Sequence, residues 1–453
     1  MRAEIAVIGG GAAGAAFAAL AADAGRDVLL IEREAGAHDK VCGEFLSREA
    51  QLYLAALGLD LARLGAVPIE RVRLAAGGTE VSAALPFRGL SLSRRVLDAA
   101  LLDLAAARGA RVVRGRRAEA LQREAGEFRL RLAGGDTVSA RTAVVATGKH
   151  DLRGWKRPTG AQPDLVGFKM YFCLLPEQAR ALAGHVELML FRGGYAGLEP
   201  VEGGRANLCL LVRRERFAAL GRNWPRLLEA IAADAPLLRR RLSGAVAEFT
   251  RPLSISGIPY GFVAPGTPDD EVWRLGDQAA VIPSFSGDGM SIALHSAQLA
   301  VLALRDGVGA AGFQAQLARD VGVQVARATW LSRIFVRRPA QLALLAAARL
   351  LPALMARAAA ATRVPDRALQ RAGILAPEAQ AVVASMARLP QTTVEQRLRR
   401  GPRNLRLTCR LVDTDPLGLF RCRFLMHNRV APMAANWHGQ TVRKAAALSE
   451  CGL

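Results

Sequence analysis

Ile5-Ala6-Val7-Ile8-Gly9-Gly10-Gly11-Ala12-Ala13-Gly14, running on into the alanine-rich residues 15–24, reads as a strand, a tight turn and a helix in direct succession. Gly9 allows the turn, Gly11 lets the backbone come against a pyrophosphate, and Gly14 permits the helix to pack closely on the strand. The helix start then presents unpaired N–H groups and a partial positive charge to phosphate. A second apolar strand, Val28-Leu29-Leu30-Ile31, ends in Glu32, eighteen residues after Gly14. A carboxylate there accepts from ribose hydroxyls and favours a ribose without a 2′-phosphate. The chain supplies its own control in Gly307-Val308-Gly309-Ala310-Ala311-Gly312, which has the same spacing. That copy follows a helical run instead of a strand, and no acid-terminated strand comes after it, so it is not read as a site.

The 453 residues, 51% of them hydrophobic, suffice for two or three packed units and exclude wholesale disorder. Residues 5–22 carry no charge and resemble a secretory leader, but the glycines and alanines of 9–16 interrupt the apolar core, and the folded nucleotide-binding reading is preferred. Six cysteines without a CxxC pair indicate neither a disulfide framework nor a zinc module, and no metal is expected. A cytoplasmic location follows as an expectation. The net charge of +21 favours anionic partners such as acidic lipid surfaces or nucleic acid. Between residues 330 and 357, Trp330, Ile334, Phe335 and several leucines alternate with arginines, a pattern that suits a packed helix first and peripheral membrane contact second.

Further along, strands are expected at 69–75, 79–85, 110–113 and 142–146, with an amphipathic helix over 96–108 and a small antiparallel ribbon over 128–139. From 151 the pattern changes to strands with longer turns (166–174, 186–191, 206–212) and a helix over 223–242. Strand 272–275 returns to the first unit, and helix 290–304 follows the loop Pro283 to Gly289. The organisation read from this is α/β. A Rossmann-like dinucleotide domain of the GR2 type spans 1–150 plus 260–320, and a sheet-based substrate domain is inserted at 151–259. Helices follow over 321–390, then a basic tail over 391–453 to which the sequence assigns no fold and for which disorder is the first reading. Residues 397–453 hold eleven Lys/Arg against three Asp/Glu. Cys409, Cys422, His427 and His438 there have no metal-ligand spacing.

Four segments together resemble the flavoprotein hydroxylase superfamily, which includes p-hydroxybenzoate hydroxylase, the geranylgeranyl reductases and the flavin-dependent halogenases. They are the glycine loop with Glu32, Lys40-Val41-Cys42-Gly43-Glu44-Phe45-Leu46-Ser47, Ser93-Arg94 with Leu97-Asp98, and Arg274-Leu275-Gly276-Asp277 with Pro283-Ser284-Phe285-Ser286-Gly287-Asp288-Gly289. The resemblance covers about residues 3–320 and implies FAD as cofactor, with NAD(P)H as a transient co-substrate. It implies that Asp277 binds the ribityl chain, that residues 283–289 run beside the isoalloxazine, and that Arg94 approaches the FAD from its helix start. The cofactor-facing set is then Gly9, Gly11, Ala12, Ala13, Gly14, Glu32, Arg33, Lys40, Cys42, Gly43, Arg94, Gly148, Gly276, Asp277, Pro283, Gly287, Gly289 and Met290. The Lys40–Ser47 segment is most similar to the geranylgeranyl reductase-like branch and to oxidoreductases of polyketide pathways.

Residues 193–200, Gly-Gly-Tyr-Ala-Gly-Leu-Glu-Pro, stand where halogenases carry a tryptophan-rich motif and prenyl reductases an aromatic-rich one, and both tryptophan positions are lost. This disfavours both halogenation and close equivalence to the prenyl reductases. Phe168, Met170, Phe172, Phe191 and Tyr195 are candidates for an apolar substrate cavity. The leading functional reading is an FAD-dependent monooxygenase acting on an apolar aromatic or polyketide-like small molecule, with NAD(P)H as donor. The alternative is geranylgeranyl reductase-like saturation of prenyl-lipid double bonds. A third reading, a flavin-containing RNA-binding protein, rests on charge alone and lacks any recognised RNA module. No catalytic acid or base is assigned, and His295 reads as a packed or surface histidine.

Overall fold

The computed structural model describes residues 1–267, 271–376, 407–414 and 420–426. Residues 1–376 form one compact unit and 377–453 another. In the first unit, five parallel strands stand in the order Arg111–Val113, Val28–Ile31, Arg2–Ile8, Thr137–Val145, Trp273–Arg274. Their registers pair Ile5 with Val28 and Val7 with Val144. The strands read as continuous apolar runs because helices cover one face of this sheet and the antiparallel ribbon packs on the other, leaving few of their residues wet. The antiparallel ribbon Ala118–Glu124 and Glu127–Leu132 extends it through the first half of Thr137–Val145.

The helices Ala12–Asp23, Arg94–Ala107 and Gly289–Arg305 pack on one another in a shared core with the sheet. Alanines on nearly every side of Ala12–Asp23 let its neighbours approach closely, and its one aromatic side chain, Phe17, is fully buried. Burial of that ring contributes about 2–3 kcal/mol. At the turn, Gly9 holds φ +105°, and a Cβ at Gly14 would overlap the Gly9 carbonyl oxygen.

The second sheet has nine strands, in the order Val246–Ala247, Leu165–Cys173, Arg205–Arg213, Gly194–Val201, Gly184–Phe191, Val67–Ala76, Thr79–Ser91, Phe45–Leu46, with Leu253–Ser256 also on Leu165–Cys173. It draws three strands from residues 45–91, so the two sheets interleave along the chain and a division at residue 150 does not separate them. The helix expected over 223–242 is two helices, Trp224–Asp234 and Pro236–Leu242, because Pro236 cannot continue the first and opens the second. The helices Ala310–Phe335, Arg338–Leu350, Ala353–Ala361 and Asp366–Arg371 follow.

In the second unit, Leu407–Thr414 pairs antiparallel with Phe420–Met426, so these stretches of the tail are ordered strands, which sequence reading missed. The side chains of Cys409, Cys422, His427 and His438 lie outside the described residues, as do residues 377–390 of the expected helical region. Among the described residues no cluster of His, Cys, Asp or Glu could hold a metal ion.

Gly14→Ala is expected to cost at least about 3 kcal/mol, the upper end of the overpacking range, because backbone has to move. Gly309→Ala, in the second glycine spacing, where φ is −74° and nothing lies within 4 Å of a Cβ, is expected to cost less than about 1 kcal/mol. Urea-unfolding midpoints of the two variants check this.

Candidate functional site

Between the two sheets lies a cavity of about 730 Å³. Its floor is one face of the nine-stranded sheet, where the period of two sets out Val72 and Leu74, Val186 and Leu188, Tyr195, Gly197 and Glu199, then Cys209 and Leu211. Its far wall is the start of Ala12–Asp23 with the loops that follow the parallel strands. The Tyr195, Phe285 and Phe335 rings meet at centroid distances of 4.5–5.8 Å and join the floor, the loop at 284–286 and the last turn of Ala310–Phe335.

At the glycine turn the geometry is that of a phosphate cradle. Gly11 caps Ala12–Asp23 without a side-chain partner, so the first N–H groups of the helix are left for another acceptor. A Cβ at Gly11 would stand 3.3 Å from Arg94 Nη2 and 3.5 Å from Lys40 Nζ, so any side chain there would intrude between the helix start and two cations. Arg94 donates to Asp98 from Nε at 2.9 Å and Nη2 at 2.8 Å, and Lys40 Nζ donates to the same carboxylate at 2.7 Å. Burial alone would raise the Asp98 pKa, but Arg94 and Lys40 hold it below the ordinary value, so the carboxylate stays charged and fixes both cations. Glu32 accepts from Gly10 N at 2.6 Å and from Glu34 N at 3.0 Å while lining the cavity, which leaves lone pairs for ribose hydroxyls. This donor set and the side-chain-free cradle fit the diphosphate and ribose of FAD.

At the other end, Gly287 holds φ +66° against the Phe45 ring, and Asp288 begins the helix Gly289–Arg305. Asp288 is fully buried. Ser47 Oγ donates to it at 3.3 Å and Arg363 Nη1 lies 3.6 Å away. Burial pushes its pKa up to about 7, against the pull of Arg363. Arg363 also donates to the Ser286 carbonyl.

Beside this loop is a buried polar cluster that sequence reading missed. Glu44, at φ +66°, accepts from Tyr171 Oη at 2.8 Å and Arg94 N at 2.8 Å, and pairs with the fully buried Lys169. Glu199 lies near it on the floor and accepts from Ser91 Oγ at 3.1 Å. Burial raises both glutamates' pKa values, Glu199's well above the ordinary one. A lysine inside the apolar run 165–173 and a glutamate inside 194–201 were the available signals.

Of the candidate residues, Gly9, Gly11, Ala12, Ala13, Glu32, Arg33, Lys40, Cys42, Gly43, Arg94, Gly148, Gly276, Asp277, Gly287, Gly289, Met290 and Tyr195 line the cavity. Gly14 packs beneath the turn and Pro283 sits behind the loop, neither on the cavity wall. Phe168, Met170, Phe172 and Phe191 are corrected. They face the opposite side of the sheet and pack in the core that helices Trp224–Asp234 and Pro236–Leu242 cover. The cavity side of Leu165–Cys173 carries Lys169 and Tyr171 instead, one residue out of phase. His295 is buried away from the cavity, between Tyr53 Oη at 2.6 Å and Asp320 Oδ2 at 3.0 Å.

Residues 7–52 match the model of the NAD(P)-binding Rossmann-like domain family. The chain is 29% identical over 317 residues to a menaquinone reductase of Mycobacterium tuberculosis, covering 66% of this chain and 75% of that protein. It is likewise 29% identical over 321 residues to digeranylgeranylglycerophospholipid reductase 2 of Methanopyrus kandleri, covering 66% and 76%. Among solved structures, PqsL, described as a probable FAD-dependent monooxygenase from Pseudomonas aeruginosa, superposes with a TM-score of 0.58 at 20% identity, over 76% of this chain and 99% of that one. The halogenase PltM superposes with a TM-score of 0.62 at 15% identity, over 74% and 77%. The fold and cradle are those of an FAD-binding oxidoreductase. More narrowly, the chain is similar in sequence to these reductases and in fold to the monooxygenase and the halogenase.

Asp98→Ala is expected to lower stability by about 3 kcal/mol, since it strands two partly buried cations, and to weaken FAD binding measured by flavin fluorescence. The pH dependence is the second check. Asp288, Glu44 and Glu199 have folded pKa values above their unfolded ones. Their contribution is present below the ordinary carboxylate pKa and is lost as pH rises through the folded values. Asp288→Asn is therefore expected to flatten the fall in melting temperature between about pH 4 and pH 7 relative to the parent, read by calorimetry.

Proposed function

We propose that the chain is an FAD-dependent reductase that saturates carbon–carbon double bonds in the isoprenoid chain of a lipid, with NAD(P)H as electron donor. The observation that carries this reading is the cavity's apolar track. It runs from the loop at 284–289 along Val72, Leu74, Val186, Leu188 and Leu211 to Leu344, Ala348, Leu354 and Met355 of the helices Arg338–Leu350 and Ala353–Ala361. A track of that kind suits a long hydrocarbon better than a compact aromatic ring. The sequence likeness to a menaquinone reductase and to a digeranylgeranylglycerophospholipid reductase supports the same choice.

In this reading bound FAD supplies hydride-transfer chemistry. Helix Ala12–Asp23, Arg94, Lys40 and Glu32 hold its diphosphate and ribose. The loop at 284–289 and Met290 would hold its ring system, and Asp277 its ribityl chain. The floor and the Tyr195–Phe285–Phe335 cluster exclude water from the reacting carbons.

Among the described residues no single helix is long and apolar enough to cross a membrane. Helices Arg338–Leu350 and Ala353–Ala361 expose Leu342, Leu350, Leu351 and Leu354 beside exposed Arg349 and Arg357. In the proposed reading this face rests on an anionic lipid surface, where the substrate chain enters. Hydroxylation of an apolar small molecule is the second reading, favoured by the likeness in fold to PqsL.

Anaerobic mixing of the NAD(P)H-reduced protein with menaquinone or a digeranylgeranyl glycerophospholipid is expected to reoxidise the flavin and give a product two hydrogens heavier per saturated bond, seen by mass spectrometry. A requirement for oxygen, with an oxygenated product, overturns this in favour of the second reading. Leu350→Glu with Leu351→Glu is expected to lower sedimentation with phosphatidylglycerol vesicles at least tenfold.

A further inference from the structure

Glu199 is a cavity carboxyl without an ion pair among the described residues. On the strand Gly194–Val201 it shares the cavity face with Tyr195 and Gly197, and it is 3% exposed to solvent. Five groups stand around it. Ser91 comes from strand Thr79–Ser91, Lys169 from Leu165–Cys173, and Cys209 from Arg205–Arg213, while Glu44 and Cys42 belong to the segment before Phe45. Asn207, opposite Glu199 in the ladder, is turned to the Cys42 and Gly43 carbonyls, to which it donates at 3.2 and 3.0 Å. The one buried amine among the described residues, Lys169, is bound to Glu44, which Tyr171 and Arg94 N also satisfy. Glu199 therefore has a hydroxyl for a partner and no ion pair among the described residues.

A carboxyl in such a place keeps its proton, because ionising it would bury a charge without a counter-ion beside a second glutamate. Burial raises its pKa well above the ordinary value, in the same sense. Its neighbours along the floor are apolar, and no other carboxyl on that floor faces the track from the sheet.

We propose that Glu199 is the proton donor of the reductive reaction, delivering its carboxylic proton to one carbon of the substrate double bond. This rests on the reductase reading above. The balance is simple. One alkene carbon gains a hydride with its electron pair, which reduced FAD provides, and the other gains the proton as the Glu199 O–H bond breaks. The π bond is lost and two C–H bonds form. NAD(P)H restores the reduced cofactor, and solvent returns the proton to the carboxylate. For a trisubstituted isoprene unit the proton goes to the carbon bearing hydrogen and the hydride to the branched one, since positive charge is better carried there.

The test compares FAD-loaded wild type, Glu199→Gln and Glu199→Asp. Flavin content and the rate of flavin reduction by NAD(P)H establish that each variant folds and accepts its donor, and both quantities are expected to stay at wild-type values. Flavin reoxidation coupled to saturation of the isoprenoid chain of menaquinone or of a digeranylgeranyl glycerophospholipid, under anaerobic conditions, is expected to slow on the order of 100-fold in Glu199→Gln and less in Glu199→Asp. Infrared difference spectra at neutral pH are expected to show a protonated-carboxyl band in wild type that shifts in D2O and is missing from Glu199→Gln. Reoxidation of Glu199→Gln at the wild-type rate, or an ionised Glu199 in the infrared spectrum, overturns the proposal while leaving the reductase reading intact. Wild type that reduces neither lipid overturns the reductase reading and this proposal with it.

Discussion

The approach of helix Ala12–Asp23 to the end of strand Arg2–Ile8 is the constraint on which the molecule is built. With no side chain at Gly14, the helix start seats on the Gly9 carbonyl. That seat aims the free N–H groups of the first turn into the cavity, beside Arg94 and Lys40. It also sets the depth of the helix in the core it shares with Arg94–Ala107 and Gly289–Arg305, and so the position of the loop that opens the latter. One missing methyl group thus ties a binding geometry to a packing geometry.

The nucleotide half of the site was legible because its signals are local. The glycine spacing, the acid at the end of the second strand and the helix after the loop at 283–289 each depend on a few adjacent residues. The substrate half was less so. The alternation in Leu165–Cys173 tells that Phe168, Met170 and Phe172 share a face, but which face meets the cavity depends on helices far along the chain. Both faces of that strand are buried, so hydrophobicity cannot tell them apart. Lys169 was the informative residue: a fully buried amine requires an anion, and Glu44, 125 positions earlier, provides it. The sharing of residues 45–91 between segments of the nucleotide unit and the second sheet is likewise set by long-range pairing, Val67–Ala76 beside Gly184–Phe191.

Two buried networks divide the polar work. Asp98 holds cations where an anionic group belongs, and stays charged. Glu199 and Asp288, each short of strong partners, lean toward the neutral acid. The environment therefore separates the carboxyls into charged anchors and acids that favour the neutral form although their chemistry is the same.

Arg363 gives the arrangement a mechanical side. It leaves the end of helix Ala353–Ala361, donates to the Ser286 carbonyl and faces Asp288 across 3.6 Å. The helices that carry the outer leucines are thereby bolted to the loop at the innermost end of the cavity. In the proposed reading, where the substrate chain enters beside these helices, any tilt of the pair that widens the entrance draws a guanidinium away from a buried acid.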